Sequence, residues 1–422
     1  MKYLFYKIIL TATVMLFILI PITTAFGQNR SSSDTTATPG VPKSVSPAPL
    51  NLFGRNVHLG IDGAVQFDVM HDFNSVGLDP NENFENEFIT GNIPVGGPAA
   101  DRNNRTGFSP NQSTLSMWAS TPTRHGDFKV YCRFNMTKLV IGTQFQVYKV
   151  YGEWGWVKAG FDWTLWLNPD AVPNTLDFEG PNPIPTPRFA QIRVKIPLGT
   201  KGYSLCLGME EALADMTLPA YVSPLNKVPA FIGKLVYEPK RAHIELAGLY
   251  RQLNANGKDI NMSVNGWGIS LSGSIDTWEN DNVIFGSLYG EGLGAYIDDT
   301  QGFGLDAVPN PNDSTSLKVI PALGIWFAYD HWWAKAWRST ATVGYVELDN
   351  AFDKTPNPAG TFHKSLYVSA NLIWSPWTAF DLGIEYMYGE RVVTANTAIN
   401  CNRLGHNNRV QMTFRWNFTA KK

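Results

Sequence analysis

Between Val57 and Val69 the chain alternates: Val57, Leu59, Ile61, Val65, Phe67 and Val69 share one parity, and His58, Asp62, Gln66 and Asp68 the other. Successive strand side chains point to opposite faces, so this pattern describes a strand with one apolar and one polar side. It is also long. An ordinary strand runs about five or six residues, whereas crossing a bilayer at a barrel tilt takes roughly nine to eleven. The end of the chain repeats the pattern, with Val410, Met412, Phe414, Trp416 and Phe418 on one face and Arg409, Gln411, Thr413, Arg415 and Asn417 on the other. Unpaired arginines in an apolar core are prohibitively costly, so the charged parity faces water and the apolar one something oily.

Similar segments recur between these ends: Leu115 to Ala119, Phe128 to Phe134, Phe145 to Tyr151, Val157 to Leu165, Gln191 to Ile196, Tyr203 to Met209 and Phe231 to Tyr237. They continue with Ile244 to Arg251, Trp267 to Ile275, Val283 to Tyr289, Ile320 to Tyr329, Arg338 to Tyr345, Leu366 to Trp374 and Phe380 to Tyr388. With the two ends they make sixteen candidate strands, although weak alternation in segments such as Leu366 to Trp374 leaves fourteen or eighteen open. Connections alternate as well. Thr121 to Gly126 and Glu238 to Arg241 are tight, while His71 to Asn111, Asn168 to Arg188, Ala212 to Val228 and Asp298 to Leu317 are long and rich in Pro, Gly, Asn and Asp. The expected fold is all-β: a transmembrane antiparallel up-and-down β-barrel of about 16 strands, with short periplasmic turns and long extracellular loops. Aromatic residues near the expected strand ends (Trp154, Trp156, Trp163, Trp166, Trp332, Trp333, Trp337, Trp374, Trp377, Trp416 and Phe418) suit the headgroup level at each rim. Taking them instead as the core of a soluble sandwich leaves the polar parity of the long strands unexplained.

The amino terminus supplies the compartment. A basic start, an apolar stretch from Ile8 to Ile20 cut short by Pro21, and the small residues up to Gly27 form the parts of a secretory signal peptide. Residues 1–27 are therefore expected to be that signal, 28–56 a flexible leader rich in Ser, Thr and Pro, and 57–422 the barrel. No later apolar run reaches the length of a transmembrane helix. Composition fits the same picture. Apolar residues are 44% and aromatics 13% of the 422, yet charged residues are only 17%, against about a quarter in an average soluble protein. With 34 basic and 36 acidic residues there is no electrostatic case for nucleic acid as a partner. Cys132, Cys206 and Cys401 make neither a disulfide framework nor a metal pattern, and no cofactor is expected.

Several segments carry a family resemblance: Val157-Lys-Ala-Gly-Phe-Asp-Trp-Thr164, Asn174-Thr-Leu-Asp-Phe-Glu-Gly-Pro181, Arg188-Phe-Ala-Gln-Ile-Arg193, Gly266 to Gly273, Tyr289 to Tyr296 and Glu385 to Arg391. In order from Val57 to Phe418, the chain resembles the DcaP-like family of outer-membrane porins. The resemblance implies a sixteen-stranded homotrimer in the bacterial outer membrane, passing small hydrophilic solutes with a preference for anionic ones, its pore narrowed by an inward-folded loop at Asn168 to Arg188. Two features depart from the family. Residues 29–49 have no heptads where some members carry a coiled-coil extension, and Thr419-Ala-Lys-Lys422 follows Phe418 where such barrels usually end on Phe.

A pore selects by radius and field rather than by bond making. Strand parity places nine bases in the lumen: Lys129, Arg133, Lys158, Arg193, Lys195, Arg251, Arg338, Arg409 and Arg415. The same rule places six acids there: Asp62, Asp68, Asp162, Glu245, Asp381 and Glu385. The wall leans basic although the chain as a whole is slightly acidic. The constriction is expected where Arg188, Arg193 and Lys195 face Asp177 and Glu179, either as a transverse field or as pairs that fix the loop. The alternatives are a structural or adhesin-like closed barrel and a barrel hydrolase. The seven histidines are dispersed, and neither a Gly-x-Ser-x-Gly elbow nor a His-Glu-x-x-His motif is present. Gly290-x-Gly-x-Gly294 reads as strand glycine rather than a phosphate loop. Asp298-Asp299 and Asn310 to Asp313 read as solvated turn residues, with Ca²⁺ ligation the other reading.

Overall fold

The computed structural model describes residues 50–52, 55–75, 87–138, 143–199, 201–211, 213–258, 260–349, 361–394 and 404–421. Sixteen strands close into one antiparallel barrel. In chain order β1 is Arg55–Asp72, β2 runs as Arg105–Ser109 and Thr114–Thr123, β3 is Gly126–Lys138, β4 Thr143–Trp154, β5 Val157–Trp163, β6 Arg188–Pro197 and β7 Tyr203–Glu210. The second half follows with β8 as Val222–Pro224 and Ala230–Tyr237, β9 Ala242–Gly257, β10 Ile260–Asp276, β11 Asn282–Glu291, β12 Pro321–Ala334, β13 Trp337–Leu348, β14 Thr361–Trp377, β15 Phe380–Thr394 and β16 Leu404–Lys421. Each strand pairs with its sequence neighbours, and β1 pairs with β16 from Gly60↔Lys421 to Asp72↔Arg409, which removes the last free edge. Every segment singled out by alternation lies on its own strand, with an overrun of two residues at Leu165 and of one at Ile320.

Strand structure starts earlier than the alternation suggested. Leu50–Leu52 already pairs with the start of β1, so the boundary expected at 56/57 moves toward the amino terminus. The signal peptide expected at 1–27, the leader as far as residue 49, and Cys401 lie outside the described residues. β2 breaks at Pro110, which has no N–H for the ladder. Ser113 repairs the gap, its Oγ accepting from the Gln66 N–H (3.0 Å) and donating to the Gln66 carbonyl (3.1 Å).

The barrel is apolar outside and polar inside. On β1 the outward Val65 is 56% exposed and Phe67 42%, while the inward Gln66 and Asp68 are buried. Trp154, Trp156, Trp278, Trp333, Trp337, Trp377 and Trp416 are all exposed and cluster at the short-turn end, forming one aromatic rim. Trp163 and Trp166 do not join it. Trp166 is buried against Tyr296 (5.6 Å between ring centroids), and Trp163 packs edge-on to Tyr148, because the chain turns into the lumen after β5 instead of running along the membrane surface.

Strands β8 to β13 carry apolar residues on their inward side too, among them Ile232, Leu249, Ile284, Leu288, Trp326 and Val346. These pack on Leu165, Trp166, Leu167, Ala171 and Ile184 of one loop and Leu293, Tyr296, Ile297 and Leu305 of another. This stretch of the lumen wall is thus covered by an apolar core built from loops. Burying this apolar surface drives the loops inward, at roughly 25 cal/mol per Å² removed from water.

Candidate functional site

The loop from Thr164 to Pro187 crosses the barrel interior. Its neck is closed by the Thr164 N–H donating to the Pro187 carbonyl (2.9 Å). The outgoing limb is held from the β7–β12 wall: the Leu165 N–H donates to Glu210 (3.1 Å), Lys234 donates to the Leu167 carbonyl (3.1 Å), and the Trp326 indole N–H donates to the Ala171 carbonyl (2.8 Å). Its tip is held by β14 to β16. Asn371 donates to the Asn174 carbonyl (2.8 Å), Gln411 to the Leu176 carbonyl (2.9 Å), and Glu385 accepts from the backbone N–H groups of Leu176 and Asp177 (3.0 Å for the second). Wall glycines make room for this path. A Cβ on Gly344 would lie 2.3 Å from Asn182 Oδ1, and one on Gly383 would lie 2.7 Å from Leu176.

Asp299, from the loop between β11 and β12, ties three loops together. Its carboxylate accepts from the Gly91 N–H (2.8 Å), Asn182 Nδ2 (3.2 Å) and the hydroxyls of Thr90 and Ser365. Asp298 beside it takes a hydrogen bond from Thr186 Oγ1 (2.5 Å) and shares another with Glu179. Asp298 and Asp299 are therefore buried braces and not the solvated turn residues expected. Burial and the neighbouring acids push Asp298 up to about 7 and Glu179 well above the usual carboxylate range. Among the described residues no group of three His, Cys, Asp or Glu is arranged to hold a metal ion. Gly290 lies within β11, one residue before its end, and Gly292, at a φ of +72°, turns the chain out of the sheet.

The expected site residues separate into three groups. Arg251, Arg409 and Glu385 project into the barrel but retain at most 2% of their accessible surface. Arg251 pairs with Asp306 (3.0 Å) and donates to the carbonyls of Gly292 and Leu213, Arg409 pairs with Asp72 (2.8 Å), and Glu385 holds the loop backbone, so all three brace loops or walls. Asp177 is in this group as well. It accepts from the Phe88 N–H (3.0 Å), and burial raises it to about 6. A second group lies toward the short turns. The exposed Lys195 faces Glu238 of the β8–β9 turn (3.6 Å), Lys129 faces Glu153 (3.8 Å), Glu245 sits between Lys234 (2.7 Å) and His243 (3.0 Å), Arg338 faces Asp381 (3.4 Å), and Arg415 donates to Asn417 (3.1 Å). Lys195 is thus not brought to the loop with Arg188.

The third group lines the wall of β3 to β6. Asp162 is contacted by three cations: Lys158 (2.7 Å), Arg193 (3.1 Å) and Lys149 (3.3 Å). Arg133 and Arg188 lie above them, against Tyr148. Lys149 escapes a strict parity reading because it shares parity with Phe145 and Val147, which point to lipid. Register shows why. Arg133 pairs with Lys149 but Phe134 with Val147, so Tyr148 is an extra residue, a β-bulge that turns both itself and Lys149 inward. A lysine on a lipid-facing parity is the signal that marks such a bulge.

Comparison with known proteins agrees with this architecture. A family model described as DcaP outer membrane protein matches residues 89–418. No curated protein matches by sequence. Among solved structures, the outer membrane channel DcaP of Acinetobacter baumannii is similar, with a TM-score of 0.73 at 16% identity over 88% of this chain and all of that one. An anion-selective porin from Comamonas acidovorans gives 0.50 at 12% identity over 86% and 99%, and the outer membrane protein OmpT of Vibrio cholerae 0.51 at 10% over 88% and 100%. These likenesses concern the fold, and the family match covers most of the barrel. The chain is a bacterial outer-membrane β-barrel and belongs to the DcaP outer membrane protein family.

Proposed function

We propose that this outer-membrane porin passes small hydrophilic solutes, favours anionic ones, and assembles as a homotrimer. The observation that carries the charge preference is Asp162 with three cations around it, on the wall facing away from the loop's docking side. Across the lumen, Glu385, Asp177 and Asp299 are occupied by backbone and side-chain donors of the loops. The free field of the passage is therefore set by β3 to β6, where bases outnumber acids. One structurally similar protein is described as an anion-selective porin, and OmpT of Vibrio cholerae is described in a trimer form, which supports both readings by analogy. The test is the reversal potential of single trimers under a salt gradient in planar bilayers. Anion preference is expected, reduced when Arg188 and Arg193 are replaced by Ser. A cation-selective or unselective channel would contradict the reading.

A further inference from the structure

Two arginines on the β3–β6 wall have no acidic partner. Arg133 stands 5.2 Å and Arg188 4.2 Å from the centroid of the Tyr148 ring, and Arg188 is also 4.8 Å from that of Trp163. Among the described residues neither guanidinium reaches a carboxylate, whereas Lys129, Lys149, Lys158, Arg193 and Arg338 each do. The Nε of Arg133 is buried with no hydrogen-bond partner. Glu179 acts on Arg188 only through space, its hydrogen bond going to Asp298, and Arg415 adds a further positive charge beside Arg133. Arg188 also hydrogen-bonds the Tyr148 side chain, but stacking on the ring holds each guanidinium in place without satisfying its remaining N–H donors. Two guanidiniums fixed on one ring, with most donors unmet and no carboxylate paired to either, present the forked geometry that a planar or tetrahedral oxyanion accepts.

We propose that Arg133 and Arg188, held by the Tyr148 bulge, form a discrete, saturable binding site for an oxyanion group, carboxylate or phosphate, of the passing solute. The inference rests on the anion-favouring reading above and sharpens it, since a diffuse field attracts any anion whereas this site distinguishes oxyanions from chloride. The bulge explains how the site is built. An extra residue in β4 brings Tyr148 inward between strands that carry Arg133 and Arg188, and the same irregularity delivers Lys149 to Asp162 below it.

The experiment uses the full trimeric protein in planar bilayers, with the chloride current measured while inorganic phosphate or acetate is titrated in, and the chloride reversal potential recorded separately. Expected is a block that saturates with concentration and weakens at least tenfold in Arg133→Gln and in Arg188→Gln, while Lys158→Gln shifts the reversal potential but still saturates. Arg133→Lys and Arg188→Lys retain the charge and lose the fork, so they serve if the neutral variants fail to assemble. They too are expected to weaken the block. The phosphate and acetate arms show which oxyanion the site prefers. Anion preference without saturation by either probe, or a block undiminished in the arginine variants, overturns the site and leaves the field reading standing. Loss of anion preference in the wild type overturns both.

Discussion

At the scale of single residues, the lumen wall divides by what each charged group is already doing. Glu385 illustrates the bracing kind. Its carboxylate accepts two backbone N–H groups from the loop tip, both at the same oxygen, Oε2. Glu385→Ala removes that acceptor and leaves two buried N–H groups unmet, a loss of about 1–3 kcal/mol for each. The expected outcome is a looser loop tip: larger and noisier single-channel conductance with the barrel still resistant to denaturation. Unchanged conductance would mean that Gln411 and Asn371 suffice to hold the tip. Strand parity alone reveals that Glu385 and Arg409 face inward, and that much of the site was legible from alternation. Whether such a group lines the passage or braces a loop was not, because that depends on contacts between segments hundreds of residues apart, as in Arg409 with Asp72. Tyr148 and Lys149 were hidden for another reason. A one-residue insertion reverses the face of everything beyond it, and its only trace is a lysine where lipid is expected.

At the scale of elements, the inward loop, the loop between β11 and β12, and the segment around Thr90 behave as one packed unit joined through Asp299 and the Glu179–Asp298 pair. The inward course of the first was expected from family resemblance, but the participation of the others leaves no periodic mark in the chain. The carboxyl pair gives this unit a pH dependence. Glu179 faces Asp298, Asp177 and Arg188, while Asp298 also faces Thr186, Asp299 and Glu87. Docking raises Asp298 from 3.8 to about 7, so the docked state holds a proton that an undocked loop would release. Docking is therefore tightest at low pH and weakens as pH rises through that interval, levelling off above it. Closure events in single-channel records are expected to change in frequency between about pH 4 and pH 7, and Asp298→Asn, which keeps a hydrogen bond to Glu179 without a titrating group, should flatten the dependence. An equally steep profile in the variant would place the responsible proton elsewhere.

At the scale of the whole molecule, a charged fraction of 17% with 13% aromatics and a mean hydropathy of −0.15 is the average of two surfaces that never meet. Neighbouring residues belong to opposite solvents. On β15, Ile384 is 46% exposed on the outer face, and Glu385, the next residue, is fully buried on the inner one. The outer surface thus needs lipid to cover Ile384, Val368 and Leu372 on adjoining strands, while the inner surface needs water and loops. Charge at the first position and charge at the second should have opposite consequences. Ile384→Arg puts a cation at mid-strand on the lipid side, a cost of about 2–4 kcal/mol near the bilayer midplane. Glu385, by contrast, puts an ionisable group on the inner face, where hydrogen bonds from the loop backbone hold it. Folding titrations into lipid vesicles with denaturant are expected to show that loss for Ile384→Arg with selectivity unchanged in the fraction that inserts, because the lumen is untouched. If Ile384→Arg folded as well as the wild type, the outer face at this level would not be in contact with lipid, and the surface buried there would belong to a neighbouring copy of the barrel.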